Sequence, residues 1–148
     1  MVHTQFTKGA FNMSAEQNKM SIQRWAEEAW NNGNLAIADE VYSADYFLHD
    51  PAGPIHGTEA LKQFVATFRT AYPDIHTTIE DMIAEGNKVV WRYTVRGTHK
   101  GEFMGIAPTG KSITLTGILI SRFDDDKVVE DWNKYDALGM LQQLGVIP

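Results

Sequence analysis

The segment Val129-Glu130-Asp131-Trp132-Asn133-Lys134-Tyr135-Asp136 concentrates acids, an amide, an amine and a phenol at the end of a strand. Asp131 and Asn133 are two residues apart, which on an extended chain puts them on one face, about 6–7 Å from each other. A carboxylate in an apolar pocket has its pKa raised, as a general base working near neutrality requires. An amide N–H beside it can hold the oxygen of a carbonyl or an enolate. The alternatives are a solvated or paired carboxylate at a pocket mouth and an amide that satisfies neighbouring backbone. His99, at a strand end beside a Gly-rich loop, is a candidate proton shuttle, because an unperturbed imidazole titrates near ~6.5, or else a structural histidine bonding the loop backbone. His49, before Asp50-Pro51, is a second candidate of the same kind. Asp136 directly precedes the last helix and reads as its N-cap.

These residues need elements to hold them. Ser14-Ala15-Glu16-Gln17 matches a capping box, and Met20, Ile22, Trp25, Ala29 and Trp30 recur at roughly helical spacing until Gly33. Asn34 is placed to cap a second, short helix carrying Leu35, Ala38, Val41 and Tyr42. Tyr46 to Asp50 reads as extended and Pro51 to Gly57 as a loop. Thr58 is placed to cap a third helix with Leu61, Phe64, Val65 and Phe68 on one face, closed by Pro73. The period then changes to two. Ile75, Thr77, Ile79, Asp81 and Ile83 alternate up to Glu85, with Gly86-Asn87 as a hairpin turn. Strands follow over 88–99, 112–123 and 127–135, and a helix over 137–144. Segregated helices and a mostly meandering set of strands predict an α+β fold, not βαβ units. A strongly bent antiparallel sheet, with helices packed in its concave face, leaves a pocket between the layers.

Strand alternation tests which side chains enter that pocket. In the 88–99 strand the odd positions Val89, Trp91, Tyr93, Val95 and His99 are the larger and more apolar set. In the 112–123 strand Ile113, Leu115, Leu119 and Phe123 are odd, while Ile118 and Ile120 sit on the other face. The last strand is ambiguous on its own. Either Trp132 faces inward with Glu130 and Lys134, or Asp131, Asn133 and Tyr135 do. In the second arrangement Trp132 joins Ile118 and Ile120 on an outer patch suited to a homodimer interface. In the same arrangement Trp91, Leu119 and Tyr135 are expected on the substrate-binding wall.

Composition bounds the rest. The 148 residues suit one domain: residues 1–13 read as a poorly ordered tail, with neither a basic nor an apolar leader region, and residues 14–148 as the domain. No apolar run approaches the roughly 20 residues of a bilayer span, so no membrane partner is expected, and a soluble, cytoplasmic protein is. A formal charge of −6 without a basic cluster argues against nucleic acid. The chain has no cysteine, and its five histidines lack metal-ligand spacing. No P-loop or dinucleotide fingerprint occurs, and the 124–126 acidic turn lacks the EF-hand pattern. No metal and no cofactor are expected.

Two motifs carry a resemblance. Gly97-Thr98-His99-Lys100-Gly101-Glu102-Phe103-Met104-Gly105-Ile106-Ala107-Pro108-Thr109-Gly110-Lys111 resembles the HxGxFxGxxPTG segment of SnoaL-like polyketide cyclases, or ester cyclases. Asp136-Ala137-Leu138-Gly139-Met140-Leu141-Gln142-Gln143-Leu144-Gly145 resembles the same family's D-x-x-G-x-L-x-Q-L-G ending, and Ala29-Trp30-Asn31-Asn32-Gly33 the end of its first helix. The resemblance spans about residues 16 to 147. It implies the cone-shaped α+β fold of ketosteroid isomerase and nuclear transport factor 2. It also implies cofactor-independent ring closure of a polyketide methyl ester, with an aspartate as general acid/base. Aligned on the tail motif, that aspartate falls on Asn133 and a histidine of the characterised cyclases falls on Leu119. His99 matches a family histidine, His49 lies where the family has a pocket-lining polar residue, and Trp30 and Phe64 match wall positions, so the resemblance adds Trp30, His49 and Phe64 to the expected substrate-binding wall. The match places Asn133 inward.

The expected function is therefore a SnoaL-like small-molecule enzyme that moves a proton next to a carbonyl of a hydrophobic ligand. Asp131, Asn133 and His99 are its expected catalytic residues. Because Asn133 and Leu119 depart from the cyclase pattern, a non-catalytic binding protein on the same fold is the alternative. Epoxide-hydrolase-like hydrolysis by an activated water is a second one. It needs an Asp/Arg/Asp constellation, whereas parity sends Arg92, Arg96 and Arg122 outward.

Overall fold

The computed structural model describes residues 14–148; the predicted tail, residues 1–13, lies outside them. Helix α1 (Ala15–Trp25) starts with the capping box formed, Ser14 accepting from the Gln17 backbone and Gln17 from that of Ser14. It continues as a π-helical turn, Ala26–Asn31, where the predicted helix shows no break. The chain turns at Gly33 with φ +78°, a left-handed conformation that glycine adopts without a Cβ penalty. A 3₁₀ turn (Leu35–Ile37) leads into α2 (Ala38–Val41). The Asn34 side chain does not cap it but bonds to Glu28.

Strand β1 (Tyr42–Asp50) begins four residues earlier than the sequence pattern indicates, and the predicted loop contains a short strand β2 (Gly53–His56) paired with β1. Helix α3 (Thr58–Ala71) buries Leu61, Val65, Phe68 and Ala71. Burial of a side chain such as Leu, Val or Phe contributes about 1.5–3 kcal/mol. Thr58 is its first helical residue and Gly57 the cap position, without a side-chain cap bond. Strands β3 (His76–Glu85), β4 (Lys88–Thr98), β5 (Ser112–Asp124) and β6 (Lys127–Tyr135) form the meander, and α4 (Ala137–Leu144) closes the chain. Asp136 caps α4, accepting from the Gly139 N–H at 2.9 Å.

The six strands form one strongly curled sheet in the order β2-β1-β6-β5-β4-β3. The α+β class stands, but the sheet is mixed: β1 runs parallel to β6, and every other pair is antiparallel. A parallel neighbour cannot be reached by a hairpin. The chain reaches it through β2, α3 and three reversals of the meander. On β3 the register shifts between Ile79 and Asp81. The extra residue reverses the alternation, so Ile83 is 63% exposed while Met82 and Ala84 pack on the core. On β4 and β5 the odd positions Val89, Trp91, Tyr93, Val95, Ile113, Leu115, Leu119 and Phe123 are buried. The outer face carries exposed Ile118 and half-buried Ile120 and Trp132.

Candidate active site

The cavity lies between the concave face of the sheet and helices α1 and α3. It has about 620 Å³ of empty volume, part of it at the open mouth. Trp25 and Trp30 come from the first helix and its π-helical extension, and Leu61, Phe64 and Phe68 from α3. Tyr46 and Leu48 come from β1, Trp91 and Tyr93 from β4, Leu119 from β5, and Asp131, Asn133 and Tyr135 from β6. Trp30, Phe64 and Phe68 meet edge to face, with ring centroids 5.3–6.1 Å apart. The expected wall residues Trp30, Phe64, Trp91, Leu119 and Tyr135 all line this space, as do Asp131 and Asn133.

Asp131 is 1% exposed. Its Oδ2 accepts from the Tyr46 hydroxyl at 2.5 Å, and among the described residues its Oδ1 has no hydrogen-bond partner. Burial pushes its carboxyl up to about 7, and the nearby Ser121 and Tyr46 hydroxyls only partly offset this. Ser121 is its cross-strand neighbour and in turn accepts from Trp91 Nε1 at 3.1 Å. Near neutral pH this carboxyl is divided between its acid and base forms. Tyr46 is pushed above its ordinary range, first by burial and then by the Asp131 charge, and so stays a phenol that donates.

Asn133 sits in a second network. Its Nδ2 donates to Asp50 Oδ1 at 2.9 Å, and its Oδ1 accepts from the Tyr93 hydroxyl at 2.7 Å. Tyr135 donates to Asp50 Oδ2 at 3.3 Å, and the Ala52 N–H donates to the same oxygen at 3.0 Å. The amide therefore turns its nitrogen to Asp50 and its oxygen to Tyr93. Burial raises both Tyr93 and Tyr135 above the usual phenol range, keeping them donors. The Tyr93 hydroxyl reaches Asn133 only because residue 117 is glycine; a Cβ there would collide with it. Sequence reasoning missed Asp50, Tyr46 and Tyr93 as members of the site. The available signal was the period of two through Tyr46, Leu48 and Asp50, all buried on one face of β1.

The two histidines do not belong to the cavity. Alternation on β1 turns Leu48 and Asp50 inward and His49 outward. There it stacks on Trp132, 5.5 Å away and 10° from parallel, and bonds to Glu130 at 2.7 Å. His99 is fully buried, but in the loop behind the cavity. Its Nδ1 accepts from the Thr109 N–H at 3.1 Å, the loop-bonding role, and its ring packs on Tyr72. Its Nε2 has no hydrogen-bond partner among the described residues. Arg92 and Arg96 are exposed, and Arg122 pairs with Glu130 at 3.0 Å. Among the described residues no arginine lines the cavity, so they form no Asp/Arg/Asp constellation there, as the hydrolysis alternative would need. Among the described residues no cluster of three histidines, cysteines or acids is placed to hold a metal ion. No described helix is long and apolar enough to cross a membrane.

The family model of SnoaL-like polyketide cyclases matches residues 20–144. The chain belongs to the SnoaL-like polyketide cyclase family. Nogalonic acid methyl ester cyclase of Streptomyces nogalater is 30% identical over 122 residues, covering 79% of this chain and 90% of that protein. The crystal structure of IdmH, a proposed polyketide cyclase from Streptomyces antibioticus, superposes with a TM-score of 0.75 at 32% identity, covering 87% of this chain and 99% of the other. TsrD from Streptomyces laurentii shares the fold, with a TM-score of 0.84 at 24% identity over 92% of this chain and 100% of that one. Family and relatives support a cyclase- or isomerase-like function.

Proposed function

We propose that this family member transfers a proton next to a carbonyl of a hydrophobic, uncharged substrate, without a cofactor, with Asp131 as the general acid/base. The observation that carries this reading is the Asp131 carboxyl itself: buried in the cavity wall, held by Tyr46, and poised near neutrality. As base, the carboxylate takes a proton from the carbon next to the carbonyl. The C–H bond breaks, an O–H bond forms on Asp131, and the electron pair moves onto the carbonyl oxygen as an enolate. One N–H of Asn133 is held by Asp50, and the other is offered to that oxygen. In a ring closure the enolate carbon then forms a C–C bond with a second carbonyl of the same molecule, and Asp131 returns its proton to the resulting alkoxide. Asp50, Tyr93 and Tyr135 position Asn133 in this scheme. The relative that acts as nogalonic acid methyl ester cyclase, together with the family, points to polyketide methyl esters as the first substrates to try.

The test is deuterium exchange from heavy water into the position next to the carbonyl, together with turnover, for a panel of such esters. The wild type is expected to catalyse both. Asp131→Asn, shown folded by circular dichroism, is expected to lose about 10²–10⁴-fold, the usual contribution of a positioned acid/base. Undiminished exchange in a folded Asp131→Asn would exclude Asp131 as the base.

A further inference from the structure

Asp131 lines the cavity, and among the described residues the Oδ1 of its buried carboxyl has no hydrogen-bond partner. A carbonyl ligand brings another acceptor and cannot satisfy it in the ionised state; a ligand with a donor can. The surroundings narrow the donor further. Trp25 and Tyr42 meet with centroids 4.7 Å apart, Tyr42 and Tyr46 at 4.6 Å, and Trp91 and Tyr93 at 5.4 Å, and all five rings line the cavity. Among the described residues no lysine, arginine or histidine lines it. Aromatic walls favour cations through the ring quadrupole, more strongly where water is excluded. A buried carboxylate with no counter-ion is costly, and an entering cation relieves that cost, whereas an anion adds to it.

We propose that the cavity is a receptor for lipophilic ammonium ions, whose N–H donates to Asp131 Oδ1 while their alkyl groups pack against the rings of Trp25, Tyr42, Tyr46 and Trp91. This goes beyond the proton-transfer reading and stands without it, because binding requires no turnover. An amine seated there occupies the oxygen that would act as base, so it also inhibits any reaction at Asp131.

The experiment compares N,N-dimethylbenzylamine, its uncharged carbon isostere isobutylbenzene, and phenylacetate. Binding at neutral pH is read by quenching of tryptophan fluorescence and by calorimetry. In the wild type the amine is expected to bind about tenfold tighter than isobutylbenzene, or better, and phenylacetate not measurably. In folded Asp131→Asn the amine and isobutylbenzene are expected to bind alike. Equal binding of the two in the wild type overturns the proposal, as does a preference for the amine that survives Asp131→Asn. Should that variant not fold, the wild type answers alone: the carboxyl carbon resonance of Asp131 shifts on adding the amine and not on adding isobutylbenzene, and an unmoved resonance overturns the proposal. A failure of the deuterium exchange assay leaves these outcomes unaffected.

Discussion

Glu130 and Asp131 are consecutive carboxylates on one strand, and the fold treats them in opposite ways. Glu130 points to the outer face, where His49 and then Arg122 hold its carboxyl below the usual range. Asp131 points to the concave face, where burial lifts its carboxyl to about 7. One step along the strand reverses the side chain, and with it the sign of the pKa shift. Chemical role here is set by the face of a sheet rather than by residue type. An acid on the outer face, already charged and paired at neutral pH, offers nothing to a substrate inside.

The largest effect that separates the two faces is on stability against pH. Asp131 binds its proton more tightly folded than unfolded. The folded state therefore holds more protons between pH ~4 and ~7, and stability falls as pH rises through that window. The loss is on the order of a few kcal/mol, complete above pH ~7. Urea denaturation across this range is expected to show the decline in the wild type and not in Asp131→Asn. Next in size is Asn133→Asp, which sets a second carboxylate against Asp50. Like charges at hydrogen-bond distance cannot both ionise freely. This variant is expected to match the wild type in acid and to be less stable by about 1–3 kcal/mol at pH 8, read by the same denaturation. The smallest effect belongs to the outer face. Glu130 is depressed, so its contribution is present above pH ~4.5 and is lost as pH falls through its folded value. Because its partners are partly exposed, Glu130→Gln is expected to cost at most ~1 kcal/mol at pH 7, to leave catalysis unchanged, and to lose that cost in high salt.

The same contrast explains what the sequence discloses. Alternation on β4 and β5 is decided by large apolar side chains, so the inward placement of Trp91, Tyr93 and Leu119 is legible from local pattern. The caps at Ser14 and Asp136 are legible too, because each bond closes within three residues. The partners of Asp131 and Asn133 are not. Tyr46 and Asp50 are 85 and 83 residues away from them, and the parallel β1–β6 pairing that joins them has no local signature. The β3 register shift at Ile79 was hidden for a different reason. An inserted residue leaves the sequence alternating while the faces exchange, so Ile83 reads as core and is exposed. His49 and His99 stand out in the sequence for their side-chain chemistry, but alternation and a loop bond keep both out of the cavity.

The central claim is that Asp131 is the group poised near neutrality inside the cavity. Its most direct test is a titration of the side-chain carboxyl carbons by NMR, with Asp131 assigned from the spectrum of Asp131→Asn. A midpoint near pH 7 for Asp131, with Glu130 titrating below ~4.5 in the same sample, is the predicted result. A midpoint for Asp131 near the ordinary ~3.9 of an exposed aspartate would contradict it.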